Sequence, residues 1–270
     1  MEKSVLISKE EDILTITLNK PQSLNALDLE IREELLVALN ESARDDEVRV
    51  LVITGQGRAF CAGGDLSTMG RDFAPGEGRT RLQNIQRITR AITSMDKLVI
   101  AAVNGPAAGA GCNLALSCDF IIAAEEAKFV EPFGKVGLVP DLGGLYFLPR
   151  LVGLLKAKEM VFTWKTIDAR EAEKIGMVNR VVPLEKLYSE VKKLADQLVR
   201  GPALANGLTK SIINKSLQST LDQVLELEAN AQDMCLMSSD HKEGVRAFIE
   251  KRKPEFNRNL ILKPVKDESK

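Results

Sequence analysis

The longest apolar stretch of the chain limits its possible folds more than any other segment. It reads LVIAAVNGPAAGAGCNLALSCDFIIAA, residues 98–124, and is long enough to cross a bilayer. Polar residues and a proline interrupt it at Asn104, Pro106, Asn113 and Asp119, which disfavours a membrane span. We therefore expect two buried strands, 98–103 and 120–124, that flank a glycine-rich turn and a short helix.

The first half of the chain alternates strand-like and helix-like segments, which favours an α/β fold. Residues 13–20 alternate apolar and polar side chains as a half-buried strand does, and residues 48–55 form a nearly continuous apolar run. Between them, residues 25–46 repeat apolar side chains every fourth residue, with Asn25 as the expected helix cap. Residues 67–79 are polar and glycine-rich, so we expect a mobile surface loop that flanks a binding cleft.

From about residue 183 onward the periodicity is helical. We divide the chain into an α/β core with the ligand site, residues 1–195, and an all-α section, residues 196–270. Gly201 and Pro202 mark a break between helices, and Thr220 with Gln223 forms a capping box. Asp240 is expected to open the final helix.

The charge and the cysteine content limit which binding partners and which cellular compartment are expected. Lys+Arg 37 against Asp+Glu 38 gives a net charge of -1, which provides no overall attraction to nucleic acid or an anionic membrane. The cysteines show neither a C-x-x-C pair nor a disulfide framework: Cys61, Cys112, Cys118 and Cys235. The N-terminus has acidic residues where a signal peptide would be apolar. We expect a cytoplasmic protein with reduced thiols.

Several chemistries are disfavoured by the residues present. The single histidine, His241, falls at the start of a predicted helix, and no serine or cysteine has a nucleophile elbow around it. Neither zinc-ligand spacing nor a phosphate loop occurs, so we expect no metal. Gly109 and Gly111 follow a strand as a dinucleotide-binding turn would, but Leu114 replaces the third glycine.

Two segments of similar design carry the positive evidence, residues 50–66 and 99–116. In each, a strand is followed by small residues that let a ligand approach main-chain N–H groups. Two converging N–H donors would make an oxyanion hole. The alternative is that the glycines serve only tight turns and close packing. Downstream, FGKVGLVPDLGG (133–144) places Asp141 among apolar residues and glycines, as a desolvated base or as the cap of a following helix.

The chain resembles the crotonase (enoyl-CoA hydratase/isomerase) superfamily over almost its whole length. The motifs are RAFCAGGDL, LPRLVG, the stretch from AAVNGPAAGAG to VPDLGG, and the closing EGVRAFIEKRKPEF. The resemblance implies a spiral of ββα units, a helical C-terminal section that mediates trimers or hexamers, and a site for acyl-CoA thioesters. Coenzyme A would be part of the substrate, with no separate cofactor.

The resemblance also implies roles for individual residues. The oxyanion donors would be the N–H groups of Gly64 and Ala110. The coenzyme A moiety would contact Arg58, Ala62, Asp65, Leu66, Phe248 and Lys251, the last two in a neighbouring subunit if the trimer forms. Side chains that would line an acyl pocket, or serve only as core, are Phe73, Phe133, Tyr146 and Trp164.

Positions at which this chain departs from the family pattern determine which of the family's reactions we expect. Members that hydrate double bonds carry glutamates where this chain has Asn113 and Phe133. Glu131 lies two residues from the second position, several ångströms along an extended chain, so we do not substitute it. Asp141 matches an acidic position of isomerases and of dehalogenases, and the latter also use a histidine that this chain lacks.

Among these groups the chain most resembles the 1,2-epoxyphenylacetyl-CoA isomerases. We therefore expect an acyl-CoA isomerase that shifts a double bond with Asp141 as its single base. An enoyl-CoA hydratase with an unorthodox acid and a non-catalytic CoA-thioester-binding protein stay open as alternatives.

Overall fold

The computed structural model describes residues 3–256. Its nine strands are β1 Val5–Glu10, β2 Ile13–Leu18, β3 Val50–Gly55, β4 Leu98–Val103, β5 Ala107–Ala108, β6 Phe120–Ala124, β7 Lys128–Val130, β8 Ile167–Asp168 and β9 Arg180–Val182. Six of them form one sheet in the order β1-β2-β3-β4-β6-β9, parallel except for the antiparallel β1–β2 pair. A small second sheet has the order β5-β7-β8.

The described helices are α1 Leu29–Arg44, α2 Glu77–Ser94, α3 Ala110–Leu116, α4 Gly144–Val152, α5 Leu154–Thr163, α6 Ala169–Lys174, α7 Leu184–Val199, α8 Ala203–Ser216, α9 Leu221–Leu236 and α10 Ser239–Ile249. Beyond residue 183 the described part of the chain contains only helices, as expected from its periodicity. The break at residues 201–202 and the capping box of Thr220 with Gln223 are both confirmed. The division at residue 195 stays a prediction, and residues 257–270 of the helical section lie outside the described residues.

The central strands are apolar on both faces because helices cover both sides of the large sheet. Along β3, Leu51 and Ile53 join one core with residues of α1, α2 and α3. Val50 and Val52, which alternate with them, join a second core under α7. This two-sided burial explains why β3 reads as a nearly continuous apolar run in the sequence and β4 as a continuous one.

Two predicted helix starts are wrong. The N-cap of α1 is Asp28, whose side chain accepts from the Ile31 N–H at 2.9 Å. Asn25 instead adopts a left-handed conformation (φ 58°) and is buried, with its amide donating to the Ala59 carbonyl at 2.9 Å. Asp240 lies inside α10, which Ser238 caps, because a serine hydroxyl at that position reaches the His241 N–H.

One buried lysine connects the helical section to the sheet. Lys210 of α8 is 5% exposed, and its ammonium donates to the carbonyls of Ile92 and Lys97 and to Asp119 Oδ2, each at 2.8 Å. Asp119 immediately precedes β6 and also accepts from the Val99 N–H of β4. The ion pair therefore connects α8 to the ends of α2, β4 and β6.

Within residues 3–256 no helix is both long and apolar enough to span a membrane. Residues 67–79, expected as a loop, contribute part of a 3-10 turn (Leu66–Thr68) and the start of α2. This segment lies next to a cavity, as expected, and Met69, Gly70 and Phe73 are among the lining residues.

Candidate active site

The two strand-turn segments singled out in the sequence lie side by side. Cys61 and Ala107 form an isolated parallel bridge, and the Ala108 N–H donates to the Cys61 carbonyl at 2.9 Å. Gly63 has φ 90°, and a Cβ there would lie 3.2 Å from the Ala110 nitrogen and 2.5 Å from the Ala108 oxygen. Only glycine fits this approach, which brings the Gly63–Gly64 backbone next to the start of α3.

The main-chain N–H groups of Gly64 and Ala110, the predicted oxyanion donors, lie on these two adjacent segments. Ala110 is the first residue of α3, and its predecessor Gly109 (φ 51°) provides no side-chain cap. Among the described residues, neither the N–H of Gly64 nor that of Ala110 donates a hydrogen bond to a protein acceptor. N–H groups on adjacent segments that have no protein acceptor are able to donate hydrogen bonds to the same ligand oxygen.

Asp141 lines an open cavity of about 480 Å³ that is otherwise mainly apolar. Its other lining residues are Leu66, Met69, Gly70, Phe73, Gly78, Arg81, Leu82, Phe133, Val136, Leu138 and Val139. Burial raises the pKa of Asp141 from 3.8 to about 6, against the opposing effects of its own N–H and of Arg81. The carboxyl is therefore a stronger base than an exposed aspartate and still ionised at neutral pH.

The alternative role of Asp141 as a helix cap is wrong. Helix α4 begins at Gly144, and its N-cap, Gly143, provides no side-chain hydrogen bond. Asp141 Oδ1 is buried and has no hydrogen-bond partner among the described residues. The expected apolar surroundings are present in Leu142, which is fully buried, although Val139 is 70% exposed.

The aromatic residues expected near the acyl chain divide into two groups. Phe73 and Phe133 line the Asp141 cavity. Tyr146 lines a different cavity, beside α8, and Trp164 packs against Gly134. Tyr146 and Trp164, the other two candidates for an acyl pocket, do not line the Asp141 cavity. The reason is that α4 and the end of α5 direct their side chains elsewhere.

The predicted coenzyme A residues occupy two regions. Leu66 lines the cavity, Asp65 caps the adjacent turn by accepting from the Ser67 N–H at 3.0 Å, and Ala62 is partly exposed on the preceding segment. Arg58 lies exposed just after β3. Phe248, 85% exposed on α10, and Lys251 just beyond it do not line the Asp141 cavity of this chain. Their predicted role stays a prediction.

Glu131 is a buried acid that the sequence analysis set aside. It follows β7, is fully buried, and accepts a hydrogen bond from Asn113 Nδ2 at 3.4 Å. Burial, and to a smaller extent the charge of Asp141, raise its pKa to about 8 against the opposing effect of hydrogen bonds from Cys112 and Asn113. The two-residue offset between Glu131 and Phe133 did not indicate that Glu131 lies near Asp141. The reason is that α3, the end of β7 and the turn before α4 come together only in the folded chain.

The sequence analysis also did not identify Arg81, which is the cationic side chain among the cavity-lining residues. It lies on α2, where Gly78, Arg81 and Leu82 share one helix face and line the cavity together. The sequence indicated a role for Arg81 only through its spacing from Gly78 and Leu82, which places the three residues on one face of a helix. Its positive charge favours the ionised form of Asp141.

The chain is similar to known proteins over most of its length. Residues 8–259 match the sequence model of the enoyl-CoA hydratase/isomerase family. The crotonyl-CoA hydratase of Syntrophomonas wolfei is 41% identical over 255 residues, 94% of this chain and 98% of that protein. The 1,2-epoxyphenylacetyl-CoA isomerase of Escherichia coli is 40% identical over 259 residues, 95% and 99% of the two chains.

Solved structures lead to the same conclusion. An enoyl-CoA hydratase from Bacillus anthracis superposes with a TM-score of 0.90 at 33% identity, covering 95% of this chain and 100% of that one. The mixed α/β core with C-terminal helices is thus the crotonase fold, as the sequence predicted. The chain belongs to the enoyl-CoA hydratase/isomerase family of the crotonase superfamily.

Proposed function

We propose that this protein is an acyl-CoA isomerase that moves a double bond from the 3- to the 2-position of an enoyl thioester, linear or ring-containing. The observation that carries the proposal is the setting of Asp141. It is the carboxylate among the residues that line the apolar cavity, and burial raises its pKa to about 6. One carboxylate is sufficient for isomerisation.

The proposed reaction moves one proton within the substrate. Asp141 removes a proton from C2, next to the thioester carbonyl, and the electrons of that bond give a dienolate whose negative charge rests on the thioester oxygen. The N–H groups of Gly64 and Ala110 donate to that oxygen. The protonated Asp141 then returns the proton to C4, which leaves the double bond between C2 and C3.

The residues at two further positions favour isomerisation over hydration. Hydration requires one group to activate water and another to deliver a proton to carbon. Asn113 and Phe133, at positions where hydrating members carry glutamate, are unable to transfer protons. The Escherichia coli relative named as an isomerase supports this choice.

Hydration of a 2-enoyl thioester is the second candidate, because most of the similar proteins reported above are named hydratases. In that reaction Glu131, the second buried acid, would provide the missing proton-transfer group. A CoA-thioester-binding protein without catalytic activity is the third candidate.

Binding and assembly complete the proposal. Coenzyme A would lie along Ala62, Asp65 and Leu66 with a phosphate near Arg58, and Phe248 and Lys251 of a neighbouring subunit would contact it. Helix α9 has no buried residue, and three of its leucines are exposed: Leu221, Leu225 and Leu236. Such a surface supports a homotrimer or hexamer. Four free cysteines support a cytoplasmic location.

The test uses 3-enoyl and 2-enoyl thioesters with the purified protein. We expect conjugated 2-enoyl product, detected by its ultraviolet absorbance, and loss of turnover in Asp141→Asn. Asp46→Asn, at an exposed turn after α1, is the matched control and should keep wild-type activity. Water addition to the 2-enoyl thioester without isomerisation would favour the hydratase, and binding without any product would favour the non-catalytic protein.

A further inference from the structure

Glu131 is a buried titratable group that the proposed reaction does not use. It follows β7, and its side chain is 0% exposed. Desolvation raises its pKa to about 8, so it holds its proton at neutral pH while Asp141 is ionised. A neutral carboxyl group both donates and accepts hydrogen bonds, which a carboxylate cannot do.

Asn113 connects this acid to the backbone of Asp141. Its Nδ2 donates to Glu131 Oε2 at 3.4 Å and to the main-chain oxygen of Asp141 at 3.0 Å. The same oxygen accepts from the Gly144 N–H at 2.8 Å. A Cβ on Gly144 would lie 2.4 Å from the Asn113 amide, so the side chain fits tightly against α4.

The turn held in this way is strained. Leu142, directly after Asp141, has φ 46°, a left-handed conformation that is strained for a residue with a Cβ. Such a conformation persists only where surrounding contacts enforce it. The hydrogen bonds to the Asp141 carbonyl are contacts of this kind, as is the one that the Thr89 hydroxyl donates to the Leu142 carbonyl at 3.0 Å, and together they hold the backbone that carries the Asp141 carboxylate.

Three buried oxygens in this cluster have no hydrogen-bond partner among the described residues: Asn113 Oδ1, Glu131 Oε1 and Asp141 Oδ1. A buried polar atom without a hydrogen-bond partner destabilises the fold, so a cluster of three calls for a functional explanation. A proton on Glu131 changes one of these acceptors into a donor.

We propose that Glu131 is a positioning residue that works as a neutral acid: it orients the Asn113 amide, which fixes the strained turn that carries Asp141. This inference rests on the proposed role of Asp141 as the base. A second carboxylate beside Asp141 would oppose the negative charge of the dienolate. Ionisation of Glu131 therefore slows the reaction, although Asp141 stays ionised.

Few titratable groups face the Glu131 carboxyl. They are Cys112 of α3, whose thiol hydrogen-bonds to it, and Asp141 before α4. Burial raises the pKa of Cys112 well above its usual value, so this thiol stays neutral. Asp168 of β8, in register with Lys128 of β7, binds the Glu171 N–H at the start of α6. Of the four charged side chains of α6, Arg170, Glu171 and Glu173 are paired at the surface, and Lys174 is exposed.

The first experiment measures kcat and KM for the 3-enoyl thioester between about pH 6 and pH 10. Wild-type kcat should fall about tenfold per pH unit above about pH 8, as Glu131 ionises. Glu131→Gln keeps an acceptor for Asn113 without the charge. It should stay within about threefold of wild type at pH 7 and show no alkaline fall.

Glu131→Leu tests orientation, since leucine accepts no hydrogen bond from Asn113. We expect kcat to fall at least about tenfold with KM nearly unchanged, because a misplaced base affects the chemical step more than binding. Glu126→Gln, at an exposed position before β7, is the matched control. An alkaline fall that persists in Glu131→Gln, or wild-type kcat in Glu131→Leu, would overturn the proposal.

A titration of the wild type by infrared difference spectroscopy needs no variant that must fold. A buried protonated carboxyl band should disappear near pH 8, about two pH units above the loss of the Asp141 band. Absence of the higher band would also overturn the inference. If Asp141→Asn retains turnover, the proposed function fails whatever this titration shows. If that variant is inactive but Glu131→Gln keeps the alkaline fall, only the inference fails.

Discussion

Replacing Asp141 by asparagine should stabilise the protein while it abolishes turnover. The carboxyl releases its proton at the ordinary pKa of 3.8 in the unfolded chain and at about 6 in the folded protein. Between these values the folded state binds more protons than the unfolded state, so stability falls as the pH rises through this window. Above it the full cost of burying the charge is present.

The magnitude follows from the two pKa values. The difference between 3.8 and about 6 corresponds to about 3 kcal/mol of lost stability at pH 7. Asparagine removes this charge but introduces an amide whose buried N–H groups need acceptors, which costs about 1 kcal/mol. We expect a net gain of about 2 kcal/mol at pH 7, an upper value because Asp141 is only partly buried.

Urea unfolding of wild type and Asp141→Asn at equal protein concentration measures this difference. The gain should be present at pH 7 and disappear near pH 4, where the folded wild type has bound its proton. Equal stabilities at pH 7, or a difference that does not change with pH, would refute the argument that desolvation of this carboxylate sets its basicity.

Three further predictions concern the same site and its support. With Asp141 as the base, kcat/KM should be about tenfold lower at pH 5 than near pH 7, below the pH at which Glu131 ionises, and a flat profile between pH 5 and pH 7 would contradict that assignment. Ala110→Pro suits the first position of α3 but removes the N–H, so kcat should fall about 10²-fold with the fold intact by circular dichroism. Unchanged kcat would exclude this donor. Lys210→Met leaves the Asp119 carboxylate buried without its partner and should destabilise the protein by about 3–5 kcal/mol in urea unfolding, with partial recovery on adding Asp119→Asn. No recovery would mean that packing of the lysine chain matters more than the charge.

The elements that the sequence predicts well are those specified by local pattern. Predicting the largely apolar runs of β3 and β4 and the capping box at Thr220 requires no knowledge of distant residues. Asn25 shows the limit of such reasoning, since asparagine both caps helices and tolerates left-handed conformations. Its choice here depends on the carbonyls at residues 56, 59 and 60, far along the chain.

The residues of the site also differ in whether the local sequence reveals them. Asp141 is visible in the sequence because a charged residue among apolar residues and glycines is unusual locally. The environment of Glu131 is set by α3, by the end of β7 and by the turn before α4, which meet only in the folded chain. Spacing along the sequence could not reveal that contact.

The ion pair between Lys210 and Asp119 has a consequence for any attempt to dissect this protein. Cutting the chain before α8 would leave Asp119 at the sheet without a counter-ion, and the carbonyls of Ile92 and Lys97 without their donor. The α/β part and the helices that follow it are therefore unsuited to separate expression, even though their secondary structure differs so clearly. A fragment ending near residue 195 would carry an interior charge that only the missing segment neutralises.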